Sequence, residues 1–260
     1  MVLLKTNMGD IRIKLYNATP KHRDNFIKLV NNKYYDSLLF HRVIKDFMIQ
    51  TGDPNSRHAT KTTQLGSGDP NYKIQAEFNA ELIHKKGALA AARAGDEVNP
   101  LKASSGSQFY IVVGKTYNDN ELNQIETKLN ENRKKNRFRE YLGKPENKAL
   151  KNEIAKYQKA GNKVKLDSIG QVITKQVDEY YKNEPEIKFS EFQRNIYKTI
   201  GGTPFLDMNY TVFGEVVEGL DVVDKIAAVQ TLHGDRPAND VIIISASVVS
   251  SPKISLQVKQ

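Results

Sequence analysis

Apolar and polar residues alternate through Ile11, Arg12, Ile13, Lys14 and Leu15, a period of two that predicts a half-buried strand. The turn residues Asn7-Met8-Gly9-Asp10 precede it, so Val2–Thr6 and Asp10–Leu15 are expected to form a hairpin. Thr19-Pro20 predicts a helix start, with a hydroxyl at the N-cap and a proline whose missing N–H costs nothing there. Phe26, Leu29 and Val30 then share one face of a helix over about 20–31. Leu38–Ile44 and Phe47–Thr51 read as strands, and Gly87–Arg93 and Gln108–Val113 as short buried ones. Residues 52–75, rich in Gly, Asp, Asn, Ser and Thr, predict a long irregular loop.

The texture changes at about residue 116. Leu122, Ile125 and Leu129 follow helical spacing, as do Leu166, Ile169, Ile173, Val177 and Tyr180, and then Phe189, Phe192, Ile196 and Ile200. Gly143-Lys144-Pro145, Gly161-Asn162 and Asn183-Glu184-Pro185 break the run, which predicts three or four amphipathic helices with narrow apolar stripes. From Gly201 the pattern returns to strands at Tyr210–Val216 and Val241–Val249, with a helix over Leu220–Val229 between them. Strand-rich ends around a helical middle predict one β domain, 1–116 and 201–250, interrupted by a helical insertion at 117–200 and followed by a tail at 251–260.

Composition narrows the chemistry. The 260 residues include no cysteine and no tryptophan, which excludes disulfides, thiolate metal sites and a cysteine nucleophile. No run approaches the roughly 18 apolar residues of a membrane span, and no signal-peptide layout opens the chain. The expectation is a cytoplasmic monomer, or a periplasmic protein if a leader has been removed. The net charge of +9 is unevenly placed: residues 115–200 hold 19 of the 39 Lys/Arg but 13 of the 30 Asp/Glu. Cations interleaved with acids read as a solvated helical face, so nucleic acid is not an expected partner. The five histidines show no metal-ligand spacing, and no metal is expected. Gly114-Lys115-Thr116 resembles the end of a phosphate-binding loop but has Phe109 where that motif needs glycine. No Gly-x-Ser-x-Gly elbow is present, and no serine has a histidine partner nearby in sequence.

The most informative stretch runs from Phe40-His41-Arg42 through Phe47-Met48-Ile49-Gln50 to Gly52-Asp53-Pro54. An arginine beside Phe and Met in a mostly buried run is expected to face a cleft. This stretch closely resembles the signature strand pair of cyclophilins, the peptidyl-prolyl cis–trans isomerases. Gly87–Ala94, Ser105–Ile111 and Thr203–Asp207 with Tyr210–Val216 resemble further cyclophilin segments in the same order. The resemblance implies a mainly β fold: a closed antiparallel β-barrel of eight strands capped by two helices, with the substrate groove on its outer surface. The helical middle has no counterpart in a minimal cyclophilin.

By the same resemblance Arg42 is the catalytic residue, donating to the twisted amide. Phe47, Met48, Tyr110 and Leu206 match the apolar proline pocket, while Gln50 and Gln108 match positions that contact substrate or steady the arginine. Ala92 and Arg93 match the pair that binds the substrate backbone, and His41 is expected as a hydrogen-bonded neighbour of Arg42. Period-two alternation places Gln108 and Tyr110 on the site face and Phe109 inside the barrel. Two rim positions depart from the family. Phe205 stands where Trp is frequent and Tyr210 where His is usual, so weak cyclosporin affinity is expected because Phe lacks the indole donor. The implied function is isomerisation of X–Pro bonds in polypeptides, assisting folding, with no cofactor. The alternative is a peptide-binding or chaperone module of weak turnover, and the helical segment is a candidate surface for a protein partner.

Overall fold

A computed structural model describes residues 1–250; the expected tail at 251–260 lies outside the described residues. Among the described residues two compact units emerge, Met1–Tyr117 with 193–250, and Asn118–Phe192.

The first unit is built on an eight-stranded antiparallel sheet. Its strands are β1 (Val2–Thr6), β2 (Gly9–Leu15), β3 (Arg42–Ile44), β4 (Met48–Thr51), β6 (Ala88–Ala91), β8 (Phe109–Val112), β9 (Val212–Glu218) and β10 (Ile243–Val248), in the order β10-β1-β2-β9-β6-β8-β4-β3. The short strands β5 (Lys73–Ile74) and β7 (Ser104–Ser105) pair separately. The expected hairpin forms, with Leu4 opposite Ile11 and Val2 opposite Ile13, and all four side chains are fully buried.

The expected closed barrel is instead an open half-barrel. No ladder joins its edge strands β3 and β10. β3 has only three residues, because Leu38–Phe40 does not continue it as the sequence suggested. That segment crosses the seam, where Phe40 N donates to Val241 O at 2.9 Å and Ile243 N to Leu38 O at 2.8 Å. The isolated bonds satisfy edge groups that a free strand end would expose.

Helices α1 (Pro20–Asn31) and α6 (Leu220–Ala227) each bury one face in the same core as the sheet. At its centre Phe26 packs against Tyr35, Phe109 and Phe213 with ring centroids 5.1 to 5.5 Å apart. Thr19 occupies the N-cap of α1, but its hydroxyl makes no cap bond. The Glu77 carboxylate takes that role, accepting from Lys21 N at 3.1 Å and His22 N at 3.0 Å.

In the second unit, α2 (Asp119–Gly143), α3 (Lys148–Lys159) and α4 (Lys163–Tyr180) end at the predicted breaks. Asn118 and Glu121 form a reciprocal capping box on α2, and Asn162 caps α4. The narrow stripes are evident: Ile173 and Val177 are buried on α4, and α3 buries no residue fully. Helix α5 (Glu191–Thr199), most of which belongs to the first unit, differs from expectation. Phe192 and Ile200 are exposed and Tyr197 is the buried residue; its hydroxyl finds an acceptor in part-buried Asp207 at 2.6 Å. Among the described residues no helix is long and apolar enough to cross a membrane.

Candidate active site

Strand register explains how the chain assembles its cleft. Arg42 on β3 lies opposite Gln50 on β4, Gln50 opposite Tyr110 on β8, and Tyr110 opposite Ala90 on β6. The four form one row on the outer face. Their neighbours Ile49, Phe109, Ile111, Leu89 and Ala91 point into the core. The outer face has its own apolar cluster of Met48, Ala88, Ala90, Ala92, Tyr110, Val112 and Val212, flanked by Phe47, Leu206 and Tyr210. Both faces of these central strands are therefore covered, which is why they read as continuous apolar runs.

A cavity of about 310 Å³ opens on this outer face. Its walls include His41, Arg42, Phe47, Met48, Gln50, Ala92, Arg93, Tyr110, Leu206 and Tyr210, ten of the twelve residues expected at the site. Leu65, Gly66 and Gly234 complete it. The other two expected residues stand behind or beside the wall. Gln108 accepts from Gln50 Nε2 at 3.0 Å and donates to the carbonyls of Gly66 and Gly68 at 3.0 and 2.7 Å. It thus braces Gln50 and the 66–68 loop, and forms no bond with Arg42 among the described residues. Phe205 is 40% exposed on a 3₁₀ turn (Pro204–Leu206), its ring centroid 5.7 Å from that of Phe47.

Arg42 is half-exposed and its Nε donates to Asp235 Oδ2 at 3.2 Å. His41 departs from expectation. It is buried, and neither ring nitrogen has a hydrogen-bond partner among the described residues. Burial pushes its pKa down to about 4, against the opposing pull of Asp53, so the ring is neutral at pH 7.

The backbone-binding pair is asymmetric. Ala92 N donates to Gln108 O at 3.0 Å and Ala92 O accepts from Ser105 N at 2.8 Å. Arg93 keeps its main-chain N–H and C=O without a protein partner among the described residues. Its guanidinium lies 4.5 Å from the centroid of the Tyr210 ring and donates through Nε to Asn209 O at 2.8 Å. That stacking holds the rim ring in place.

Under the pocket floor runs a buried polar chain. Tyr197 donates to Asp207, Asp207 meets His84 Nδ1 at 2.9 Å, and His84 Nε2 meets the Tyr110 hydroxyl at 3.1 Å. Burial drives the Tyr110 hydroxyl well above its ordinary pKa, so it remains a neutral phenol. Asp53, also fully buried, holds the loop wall by accepting from Gly66 N and Gly68 N. Only glycine fits at 68, because a Cβ there would lie 1.9 Å from Asp53 Oδ1.

The fold also creates a serine–histidine pair that sequence proximity could not show. His22 Nε2 meets Ser104 Oγ at 2.9 Å, and His22 Nδ1 meets Glu77 at 2.7 Å. Ser104 and His22 are 1% and 2% exposed, so the group is structural, closing β7 and α1 together.

Comparison with known proteins agrees with this architecture. The family described as cyclophilin type peptidyl-prolyl cis-trans isomerase/CLD matches residues 1–128 and 128–248. A Staphylococcus haemolyticus protein, named as a candidate peptidyl-prolyl cis-trans isomerase, is 31% identical over 248 residues, or 95% of this chain and 90% of the relative. A Staphylococcus aureus protein of the same name is 30% identical over the same shares. Among solved structures, a Cryptosporidium parvum cyclophilin type peptidyl-prolyl cis-trans isomerase, crystallised in the presence of the dipeptide Ala-Pro, aligns with 96% of this chain and 99% of its own. Its TM-score of 0.53 at 19% identity bears on the fold. With a family match across both halves of the strand unit, the chain belongs to the cyclophilin-type peptidyl-prolyl cis-trans isomerases.

Proposed function

We propose that this isomerase accelerates X–Pro rotation in unfolded or exposed polypeptide segments, and so assists folding, through the Arg42 guanidinium beside an apolar proline pocket. The observation that carries the reading is one cavity wall that joins half-exposed Arg42 to Phe47, Met48, Tyr110 and Leu206. Rotation crosses a barrier of about 18–20 kcal/mol set by amide resonance and takes tens of seconds or more unaided. No covalent bond breaks. Twisting the amide returns a lone pair to the prolyl nitrogen and moves the carbonyl oxygen. A fixed cation that donates to these atoms more strongly in the twisted state than in the planar one lowers the barrier. Arginine suits this because its fork is planar, rigid and always charged.

The remaining walls have matching tasks. The apolar side chains hold the proline ring in a dry slot. Arg93 offers main-chain N–H and C=O to an extended substrate. Gln50, steadied by Gln108, offers its amide oxygen. A proline dipeptide of the Ala-Pro kind is the minimal ligand that fits these features. The test is a protease-coupled exchange assay on an X–Pro peptide. The wild-type chain is expected to accelerate exchange, and Arg42→Lys, which keeps the charge and loses the fork, to lose part of that rate. Equal rates for the two would contradict the fork's role. With Phe205 at the rim, sub-micromolar inhibition by cyclosporin is not expected.

A second role is favoured by one observation in the helical unit. Val164 and Val172 are exposed at 79% and 51% on α4, apolar positions open to unfolded chain or a protein partner. In this reading residues 117–200 are an insertion in the isomerase domain with its own binding role. Replacing both by serine in the full chain is expected to weaken suppression of client aggregation and leave peptide isomerisation unchanged. Unaltered suppression would count against it.

A further inference from the structure

Arg42 is held from a turn that lies 193 residues away in sequence. Its Nε donates to Asp235 Oδ2 at 3.2 Å, and among the described residues no other protein group hydrogen-bonds the guanidinium. The main chain of the same residue is tied to the same strand, since Asp235 O accepts from Val43 N at 2.8 Å. Asp235 therefore grips β3 twice, once through the backbone and once through the carboxylate.

The turn that presents it is unusual. Gly234 and Asp235 both have positive φ, +79° and +63°, and a non-glycine residue there is strained unless its surroundings hold it. They do so at several points. Asp235 N donates to Leu232 O at 3.1 Å, and Leu232 N donates to Arg236 O at 2.7 Å. Thr231 bridges Pro237. Arg236, which is buried, anchors the turn to the neighbouring loop by donating through Nη1 to Thr60 O at 2.6 Å and Thr63 O at 3.3 Å. Gly234 itself lines the cavity.

The ion pair contributes little to stability, because both side chains are more than 40% exposed and water screens them. Its consequence is orientation. A long side chain on a three-residue edge strand has many rotamers, and a bond to Nε selects among them. With Nε engaged, the two terminal amino groups are the donors left for substrate. We propose that Asp235 is a positioning residue that aims the Arg42 guanidinium at the twisting amide. This rests on the reading of Arg42 above.

The test is the peptide exchange assay on five full-length proteins: wild type, Asp235→Gly, Asp235→Asn, Arg42→Ala and the double variant Arg42→Ala/Asp235→Gly. Glycine suits the positive φ better than aspartate, so the turn persists without the carboxylate. Asparagine also tolerates this conformation and keeps an oxygen that can accept from Nε. Asp235→Gly is expected to lose about tenfold or more in kcat/KM through misplacement of the donor, with an unfolding temperature no lower than wild type. Asp235→Asn should stay within about threefold of wild type, because the hydrogen bond that orients the fork survives. In the Arg42→Ala background Asp235→Gly should change nothing further, as expected when one residue acts through the other.

Wild-type or higher turnover by Asp235→Gly would overturn the proposal. So would equal losses in the glycine and asparagine variants, or the same fold-loss with and without Arg42. Near wild-type turnover by Arg42→Ala would instead sink the catalytic reading of Arg42 itself. If Asp235→Gly does not fold, the wild-type protein still decides by NMR of the Arg42 Nε–H. A distinct, slowly exchanging resonance supports the bond, and a rapidly exchanging, averaged one overturns it.

Discussion

The strand unit and the helical unit are held together by different means. In the first, central strands bury both faces: Leu89, Phe109 and Ile111 point into the core, while Ala90, Tyr110 and Val112 face the outer cluster. In the second, α4 buries only Ile173 and Val177 and α3 buries nothing fully. Caps and surface ion pairs do more of the holding there. Glu184 meets Arg133 at 3.0 Å and Arg137 at 2.6 Å, and Asn130 makes paired bonds with the Ile187 backbone. Exposed ion pairs contribute little each. The candidate catalytic groups thus sit on the tightly packed unit, where side-chain positions are most constrained. The helical unit is expected to open at lower free energy.

The contrast can be tested by mutation. Phe26→Ala removes the hub of the aromatic core and is expected to cost about 3–5 kcal/mol in urea unfolding. Circular dichroism and tyrosine fluorescence are the suitable probes, since the chain has no tryptophan. A smaller effect is expected from His41. Its pKa near 4 lies below the ordinary 6.5, so the unfolded chain binds the proton more readily. The folded state is unaffected by this group above pH 6.5 and is progressively destabilised as pH falls to about 4, by up to roughly 3 kcal/mol. His41→Gln should flatten the stability profile across that window, and an unchanged profile would count against the buried neutral ring. Tyr110→Phe strands the buried His84 Nε2 and is expected to cost about 1–3 kcal/mol. It keeps the apolar wall, so isomerisation should change little. Val164→Ser and Val172→Ser, on the exposed face of α4, should each stay within about 0.5 kcal/mol of wild type. A large loss from either would show that the helical unit is packed more tightly than its burial indicates.

Much of the strand unit was legible in the chain because its signals are local. Alternation at Ile11, Ile13 and Leu15 can be read without knowing what lies across the sheet, and the Arg42–Phe47–Met48–Gln50 stretch can be matched to cyclophilins on its own residues. What escaped was set by distant partners. Nothing near Asp235 points to Arg42, although Gly234-Asp235-Arg236-Pro237 is a visible turn signal. Leu65 and Gly66 join the wall only because Asp53 and Gln108 hold their loop. Strands β5 and β7, two residues each, are too short to show a period. Hydrophobicity alone favours Phe192 and Ile200 for the buried face of α5, whereas Tyr197 is the residue buried there, its hydroxyl bonded to Asp207. The expected barrel closure fails at one edge, where β3 begins only at Arg42 and the preceding Leu38–Phe40 crosses the seam.

Arg42 is the group on which the proposed catalysis depends, and the most direct measurement compares Arg42→Ala with wild type in X–Pro exchange, with folding verified by circular dichroism. Loss of a preorganised donor to the transition state predicts a fall of about a hundredfold or more in kcat/KM with the fold intact. A folded Arg42→Ala protein that turns over the peptide at close to the wild-type rate would contradict the mechanism.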